Sequence, residues 1–234
     1  MSETFFPGGP LHEKFLNALF ITECGICGNP LDSHGICDAC SAALEFAEAK
    51  SPLFEISSED INVRCATCFV YDENTVTNLL FALKKNGTHA LVNYAALRMK
   101  GAVSLLSPSG KALFTSVPRS TSGKMKYGFD QAELIAKRAA RMCGVRYTKL
   151  IKQNGFSKEQ KKLNAKQRKR NIVGRFKVRK LLSATAPDSI IIFDDVITTG
   201  SSIKECARLL HSKYPSTSLY AAVLATRQLT KIIY

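Results

Sequence analysis

Two adjacent carboxylates and a run of small hydroxyl residues are the part of this sequence best suited to chemistry. Asp194 and Asp195 follow the apolar run IIIF, and the stretch VITTGSS separates them from a new helical pattern. Ligands of parallel α/β sheets bind at the carboxyl ends of the strands. There, carboxylates can accept hydrogen bonds from sugar hydroxyls or hold a hydrated Mg²⁺. The backbone N–H groups that begin a helix favour an anion. We therefore predict a sugar phosphate site.

The small residues of the turn suit a close approach of the backbone to phosphate. Gly200 permits a backbone dihedral that bulkier residues resist, and the Thr and Ser hydroxyls add donors. A loop of the form GxxxxGK[ST] is absent from this stretch. The pattern therefore excludes a Walker-type nucleotide site here.

Six of the eight cysteines occur as CxxC pairs, a spacing that favours metal ligation. Nine residues separate the first two pairs, and four thiolates at this spacing predict a closed, structural zinc site. Its predicted ligands are Cys24, Cys27, Cys37 and Cys40. For Cys65 and Cys68 we predict no metal, although a relic, a half-site shared with another chain and a thiol pair all remain open.

The formal charge of +14 is concentrated in one segment. From Lys149 to Lys180 there are 13 Lys or Arg residues and a single acid, Glu159. Such a segment predicts a polyanionic partner, either nucleic acid or a phosphate-rich small molecule, with a solvated basic face as the alternative. No long apolar run or secretory leader is visible, so we expect a cytoplasmic protein without a membrane span.

Strands alternate with helical patterns in the second part of the chain, which predicts a parallel sheet covered on both faces by helices. KALFTSV, VRYTKLI, SIIIF and SLYAAVLAT are the predicted strands. Asp130 and Gly144 bound a helix between the first two. We predict a zinc-ribbon-like cysteine module over residues 1–70 and an α/β domain over residues 71–234.

DDVITTGSS resembles the phosphoribosyl pyrophosphate (PRPP) signature of type I phosphoribosyltransferases. The resemblance implies a type I phosphoribosyltransferase-like fold, with Asp194 and Asp195 on the ribose hydroxyls, directly or through Mg²⁺. It also implies that the 5′-phosphate lies against Thr198, Thr199, Gly200, Ser201 and Ser202.

Further stretches resemble the ComF (competence protein F, ComF/GntX-like) family. They are SVPRSTSGKMKYGFDQAELIA, KEQKKLNAKQRKRNIVGRFKV and the lysine of FALKKNG, which is Lys84 or Lys85. YGFDQ departs from the usual RGFNQ, because Tyr127 replaces an Arg and Asp130 an Asn. The resemblance implies a pyrophosphate-binding loop containing Arg119, Lys124, Lys126, Tyr127 and Gly128.

The ComF resemblance also implies a role in DNA uptake and natural transformation. Incoming single-stranded DNA, and proteins of the competence machinery, would then be partners besides PRPP or a related ribose phosphate. Phe156 or Phe176 could stack on bases. The predicted nucleic-acid contacts are Lys161, Lys162, Lys166, Arg168, Lys169, Arg170 and Arg175.

Two alternatives remain open at this stage. One is an active, Mg²⁺-dependent phosphoribosyltransferase with an unidentified acceptor, since no segment obviously reads a nucleobase. The other is a zinc-ribbon adaptor with an inactive transferase domain, which would not bind PRPP.

Overall fold

The computed structural model describes residues 22–31, 35–58, 61–71, 74–85, 87–119, 128–154, 174–181 and 186–227. Its strands are β1 (Thr22–Glu23), β2 (Pro30–Leu31), β3 (Leu53–Ser58), β4 (Ile61–Val70), β5 (Ala112–Ser116), β6 (Arg146–Tyr147), β7 (Ile151–Gln153), β8 (Phe176–Val178), β9 (Ser189–Ile197) and β10 (Ser218–Thr226). The helices within these residues are α1 (Asp38–Phe46), α2 (Thr75–Lys85), α3 (His89–Leu106), α4 (Gln131–Cys143) and α5 (Ser201–Lys213).

A six-stranded sheet in the order β3-β4-β10-β9-β5-β6 forms the centre of the molecule. Strands β4, β10, β9, β5 and β6 are parallel to their neighbours, while β3 pairs antiparallel with β4 at one edge. The prediction of an α/β fold with a mostly parallel sheet is confirmed.

Both faces of this sheet are covered, which explains the continuous apolar run in β9. Ile191 and Phe193 belong to a core cluster with α1, α2, α3 and α4, whereas Ile190 and Ile192 belong to a second cluster with α5. All four side chains are fully buried. A strand buried on both faces has no solvent side that would require polar residues, so its sequence does not alternate.

Two strand predictions need correction. VRYTKLI is not one strand, because β6 ends at Tyr147 and the chain then forms β7, which pairs antiparallel with β8 outside the main sheet. The Leu150 N–H instead bonds the Thr115 hydroxyl, 3.2 Å away. The SIIIF strand continues through both aspartates to Ile197, because its partner β10 is equally long.

The division of the chain at residue 70 stays a prediction. Strands β3 and β4, which precede that position, are hydrogen-bonded into the same sheet as β10 and β9. Within the described residues before β3, the chain forms the β1–β2 hairpin and α1, which contain the four clustered cysteines. No helix in the described part of the chain is long and apolar enough to cross a membrane.

Candidate functional site

The two aspartates lie in the last part of β9, at the carboxyl end of the central parallel strands. The Asp195 N–H donates to Asp194 Oδ1 over 2.9 Å, and the Val196 N–H donates to Asp195 Oδ1 over 2.8 Å. Burial, together with the neighbouring charge of Asp195, raises the pKa of Asp194 well above its ordinary value. An ionised Asp194 is therefore costly until a donor or a cation compensates it.

One compensating cation comes from the end of α2. Lys84 Nζ lies 3.4 Å from Asp195 Oδ2, and both side chains are partly exposed. Of the two lysines in FALKKNG, it is Lys84 that reaches the acidic pair. Asp195 therefore has a charged partner, which the last turn of α2 supplies.

The turn after β9 leads directly into α5. Gly200 is the N-cap of this helix and has a φ of +70°, in the left-handed region. A Cβ at this position would lie 3.1 Å from Ile56 Cδ1, so glycine suits both the dihedral and the space. The first turn of α5 contains no acidic residue. Its backbone N–H groups therefore form a favourable place for an anion.

Hydroxyl groups surround that helix N-terminus. Thr198 and Thr199 are exposed, while Ser201 and Ser202 are partly exposed. The Thr199 and Ser201 hydroxyls are hydrogen-bonded to each other. The residues predicted to hold a 5′-phosphate are thus brought together at one end of the sheet, next to the aspartates.

A small cleft joins the aspartates to the end of β5. It has a volume of about 70 Å³ and is lined by Val117, Pro118, Arg119, Asp130, Gln131, Ala132, Asp194 and Asp195. Arg119 Nη1 donates to the Phe129 carbonyl over 3.3 Å. Of the predicted pyrophosphate residues, Arg119 lines the cleft and Gly128 has a φ of +77°, whereas Lys124, Lys126 and Tyr127 lie outside the described residues.

Asp130 explains one departure from the ComF motif. Its Oδ1 accepts the Glu133 N–H at the start of α4, and its Oδ2 accepts the Arg119 N–H over 2.9 Å. A carboxylate offers acceptors on both oxygens, whereas the Asn common in the family offers one acceptor oxygen and two donors. Asp130 thus both caps the helix and holds the Arg119 backbone.

Most of the predicted nucleic-acid contacts lie outside the described residues, namely Lys161, Lys162, Lys166, Arg168, Lys169 and Arg170. Arg175 is described, and its guanidinium carbon lies 5.5 Å from the centre of the Phe176 ring. Phe176 is only 3% exposed and packs in the second core cluster. The hypothesis that Phe176 stacks on bases is therefore wrong, and Phe156 falls outside the described residues.

Hydrogen bonds hold together the residues that flank positions 155–173. The Asn154 N–H donates to the Arg175 carbonyl over 2.8 Å, and Asn154 Nδ2 donates to the Gly174 carbonyl over 3.2 Å. The Gly174 N–H in turn donates to Glu205 Oε1 of α5 over 3.1 Å. The two flanks of positions 155–173 are thus bonded to each other, and Gly174 is also bonded to α5.

The four predicted zinc ligands come together in the N-terminal hairpin and at the start of α1. The sulfur atoms of Cys24, Cys27, Cys37 and Cys40 all lie within 4.8 Å of one another. Cys27 Sγ and Cys37 Sγ are 3.7 Å apart, close to the roughly 3.8 Å expected of two sulfurs in a tetrahedral zinc site. The cluster therefore fits a single structural zinc ion.

Backbone N–H groups near Cys24 also favour metal binding at this cluster. Burial raises the pKa of the Cys24 thiol, but backbone N–H groups of Cys27, Cys37 and Ile26 lower it more, to about 6. Such N–H···S contacts favour the thiolate that a metal requires. The Cys37 N–H, for example, lies 3.3 Å from Cys24 Sγ.

Cys65 and Cys68 are not a second half of this site. Cys65 packs in the core cluster beside α5, whereas Cys68 packs against the opposite cluster and contacts Met99. Three residues apart in β4, they lie on opposite faces of the sheet. The CxxC spacing therefore does not place these two sulfurs around one ion.

The chain has relatives among known proteins, although no family model matches it. It is 26% identical over 206 residues to the DNA utilization protein YhgH of Salmonella typhimurium, covering 80% of this chain and 89% of that protein. To YhgH of Escherichia coli it is 24% identical with the same coverage. A solved xanthine-guanine-hypoxanthine phosphoribosyltransferase of Helicobacter pylori is similar with a TM-score of 0.38 and 11% identity, covering 61% of this chain and 86% of that one.

The resemblance that the motifs predicted is confirmed by the sequence matches to YhgH. The similarity to the solved structure, with a TM-score of 0.38, adds no argument about the fold to the strand order described above. The sequence match covers 80% of the chain, and the four-cysteine cluster lies where the motifs predicted it. This protein is thus similar in sequence to YhgH over most of its length, and its described part contains a mostly parallel α/β sheet and an N-terminal four-cysteine cluster.

Proposed function

We propose that this protein binds PRPP and acts on DNA, as a phosphoribosyltransferase-like protein of DNA uptake and natural transformation. One observation carries the PRPP part. Asp194 and Asp195 lie in the last part of the central strand, and the turn at Gly200, five residues after Asp195, leads into a helix N-terminus. Acceptors for sugar hydroxyls and donors for a phosphate are thereby placed a few residues apart.

Each group of residues has a proposed role in this site. Asp194 and Asp195 hold the ribose hydroxyls, and the stretch from Thr198 to Ser202 holds the 5′-phosphate. Mg²⁺ bound with PRPP would neutralise the diphosphate. Arg119, which shares a cleft with both aspartates, would bind that diphosphate together with Lys124, Lys126, Tyr127 and Gly128.

Calorimetric titration of the full chain with PRPP, with and without Mg²⁺, tests this site. We expect saturable binding that strengthens with Mg²⁺ and weakens at least tenfold in Asp195→Asn, which removes one charged acceptor. Asp188→Asn is a less suitable control, because Asp188 bonds the Lys111 N–H at the other end of the sheet. Asp38→Asn, an exposed change in α1, is the better control and should leave binding intact. Absence of PRPP binding by the wild-type protein contradicts the proposal.

The DNA part of the proposal rests on charge and on homology. The segment from Lys149 to Lys180 carries most of the positive charge, and the relatives that match the chain are DNA utilization proteins. We propose that this segment tracks the phosphates of single-stranded DNA in the cytoplasm, where competence proteins would be its partners. Counterion release makes such binding strongly dependent on salt.

Fluorescence anisotropy with a labelled oligonucleotide tests DNA binding. Affinity should fall steeply between 50 and 200 mM salt, by about 10³-fold or more if six phosphates are contacted. Replacing Lys161, Lys162 and Lys166 by Gln should reduce both the affinity and the salt slope. Replacing the exposed Lys50, Lys100 and Lys213 instead is the charge-matched control. Binding that salt does not change contradicts this part of the proposal.

A second candidate is an active, Mg²⁺-dependent phosphoribosyltransferase with an unidentified acceptor. The position of Arg119 in the same cleft as the aspartates favours it, since a leaving pyrophosphate needs a cation beside the ribose site. A screen of bases for pyrophosphate release separates the two candidates. Release that depends on one base and disappears in Asp195→Asn supports the enzyme.

We also propose that the bound zinc is structural. Four cysteine ligands close a tetrahedral site and leave no open position for substrate. The ion would stabilise the β1–β2 hairpin against α1, since Leu44 is the sole fully buried side chain of that helix.

A further inference from the structure

Gln131 is a buried polar residue whose side-chain amide donor is unsatisfied within the described residues. It is the first residue of α4, is 4% exposed and lines the cleft shared by Arg119, Asp194 and Asp195. Its amide nitrogen is enclosed and has no hydrogen-bond partner within the described residues. Leaving an enclosed donor without a partner destabilises the fold, so its presence in the cleft requires an explanation.

The neighbours of Gln131 are already committed to other contacts. Asp130 uses one carboxylate oxygen for the Glu133 N–H and the other for the Arg119 N–H. Asp194 Oδ1 accepts the Asp195 N–H, and Asp195 Oδ2 is paired with Lys84. None of these contacts involves the Gln131 amide nitrogen, which has no partner within the described residues. An acceptor supplied from outside the chain would complete the arrangement.

We infer that Gln131 donates a hydrogen bond to a diphosphate oxygen of the ligand, and so is a further binding residue. This inference rests on the proposed PRPP site. Gln131 lines the cleft on the side of Arg119, whose N–H is held by the neighbouring Asp130, rather than beside the Gly200 turn. A diphosphate esterified to the ribose held by the aspartates would place its oxygens on that side.

If Gln131 binds the diphosphate, its substitution should weaken PRPP binding without lowering the stability of the fold. In Gln131→Met, a side chain of similar length loses the unsatisfied donor, so the melting temperature should stay equal to that of the wild type or rise. PRPP binding should nevertheless weaken about tenfold, as expected for one lost hydrogen bond to a charged group. Gln131→Glu keeps the shape but turns a donor into an acceptor, and should weaken PRPP binding about hundredfold or more.

Ribose 5-phosphate distinguishes which part of the ligand is contacted. It retains the hydroxyls and the 5′-phosphate but lacks the diphosphate. Its affinity, measured by the same calorimetric titration, should be unchanged within about twofold in Gln131→Met. Arg141→Gln, an exposed change on the same helix, is the control and should bind both ligands as the wild type does.

Each outcome bears on the inference. Undiminished PRPP binding by Gln131→Met overturns it, as does an equal loss of both ligands, which would place the contact on the ribose phosphate. A marked drop in the melting temperature of Gln131→Met would show that Gln131 supports the fold and also overturns it. If wild-type protein binds neither ligand, the proposed PRPP site fails and this inference fails with it. Selective loss of PRPP binding in a stable protein supports it.

Discussion

The Lys84 ammonium lies 3.4 Å from Asp195 Oδ2 and joins the end of α2 to the end of the central strand. Asp194 precedes Asp195 in the chain, and burial raises the pKa of the Asp194 carboxyl. One exposed cation thus faces a pair of carboxylates of which one is hard to ionise. Lys84 thus offsets part of the negative charge of the two aspartates.

Lys84→Met should change the pH dependence of PRPP binding more than the stability of the fold. The ion pair is partly exposed, so its loss should cost less than about 1 kcal/mol of folding free energy. Without this cation the Asp194 carboxyl, whose pKa is already raised by burial, loses a nearby positive charge, and the loss of affinity on acidification should begin at a higher pH. Titrations with PRPP between pH 5 and 9 measure this. Lys85→Met, the exposed neighbour, is the control, and identical profiles for the two variants would refute the prediction.

Asp194→Asn should stabilise the free protein at neutral and alkaline pH. The folded-state pKa of Asp194 is raised above 3.8, so the folded protein binds this proton more tightly than the unfolded chain. Its contribution to stability falls as pH rises from 3.8 through the raised value. Asn removes that loss, and the melting temperature at pH 8 should rise by about 2–4 °C.

The same variant should bind PRPP more weakly, because a charged acceptor is lost. Thermal unfolding of both proteins at pH 4 and pH 8 tests the sign of the effect on stability. The difference between variant and wild type should be small at pH 4 and larger at pH 8. An Asp194→Asn protein that is less stable than the wild type at pH 8 would contradict the prediction.

Gly200→Ala should weaken both folding and phosphate binding. The φ of +70° costs a residue with a Cβ roughly 1–2 kcal/mol, and the added carbon would also lie 3.1 Å from Ile56. Denaturant unfolding and titration with ribose 5-phosphate measure the two effects. The control is Gly101→Ala in α3, where no atom lies within 4 Å of the added carbon. That change should stabilise by about 0.5–1 kcal/mol, and equal effects of both substitutions would rule out our interpretation of Gly200.

Purified protein should contain one zinc ion per chain, bound by the four clustered cysteines. Cys27→Ser should lose the ion, and the melting temperature should fall by roughly 8 °C or more, because metal binding contributes to folding. Metal analysis and thermal melting provide the measurements. Cys143→Ser, at the end of α4, is the control and should keep its zinc. Full zinc content in Cys27→Ser would exclude the proposed ligand set.

Features with local causes could be predicted from the sequence. Asp130 caps α4 and Gly144 ends it in the left-handed conformation, as their residue types indicate. The CxxC spacing predicted the cysteine cluster, since knuckle turns bring such pairs together without distant contacts. Strand β10 coincides with the run SLYAAVLAT, because apolar residues buried on both faces form an unbroken pattern.

Features that depend on distant contacts were harder to predict. Cys65 and Cys68 resemble a zinc half-site in sequence, but this segment is a strand that pairs with β10 from the other end of the chain, and residues three apart in a strand lie on opposite faces. Phe176 follows basic residues and looked available for stacking, yet packing under α5 buries it. Gln131 lies in the YGFDQ motif, but its unsatisfied amide nitrogen depends on three-dimensional contacts that the motif does not specify.

The pairing of β4 with β10 also bears on how the protein is made. During synthesis β4 leaves the ribosome long before β10, which inserts between β4 and β9 near the end of the described chain. Until then β4 and β9 each expose an unpaired edge that could recruit another nascent polypeptide. Loss of β10 by premature termination would leave two separated half-sheets. Such truncated chains should therefore aggregate rather than persist as smaller folded fragments.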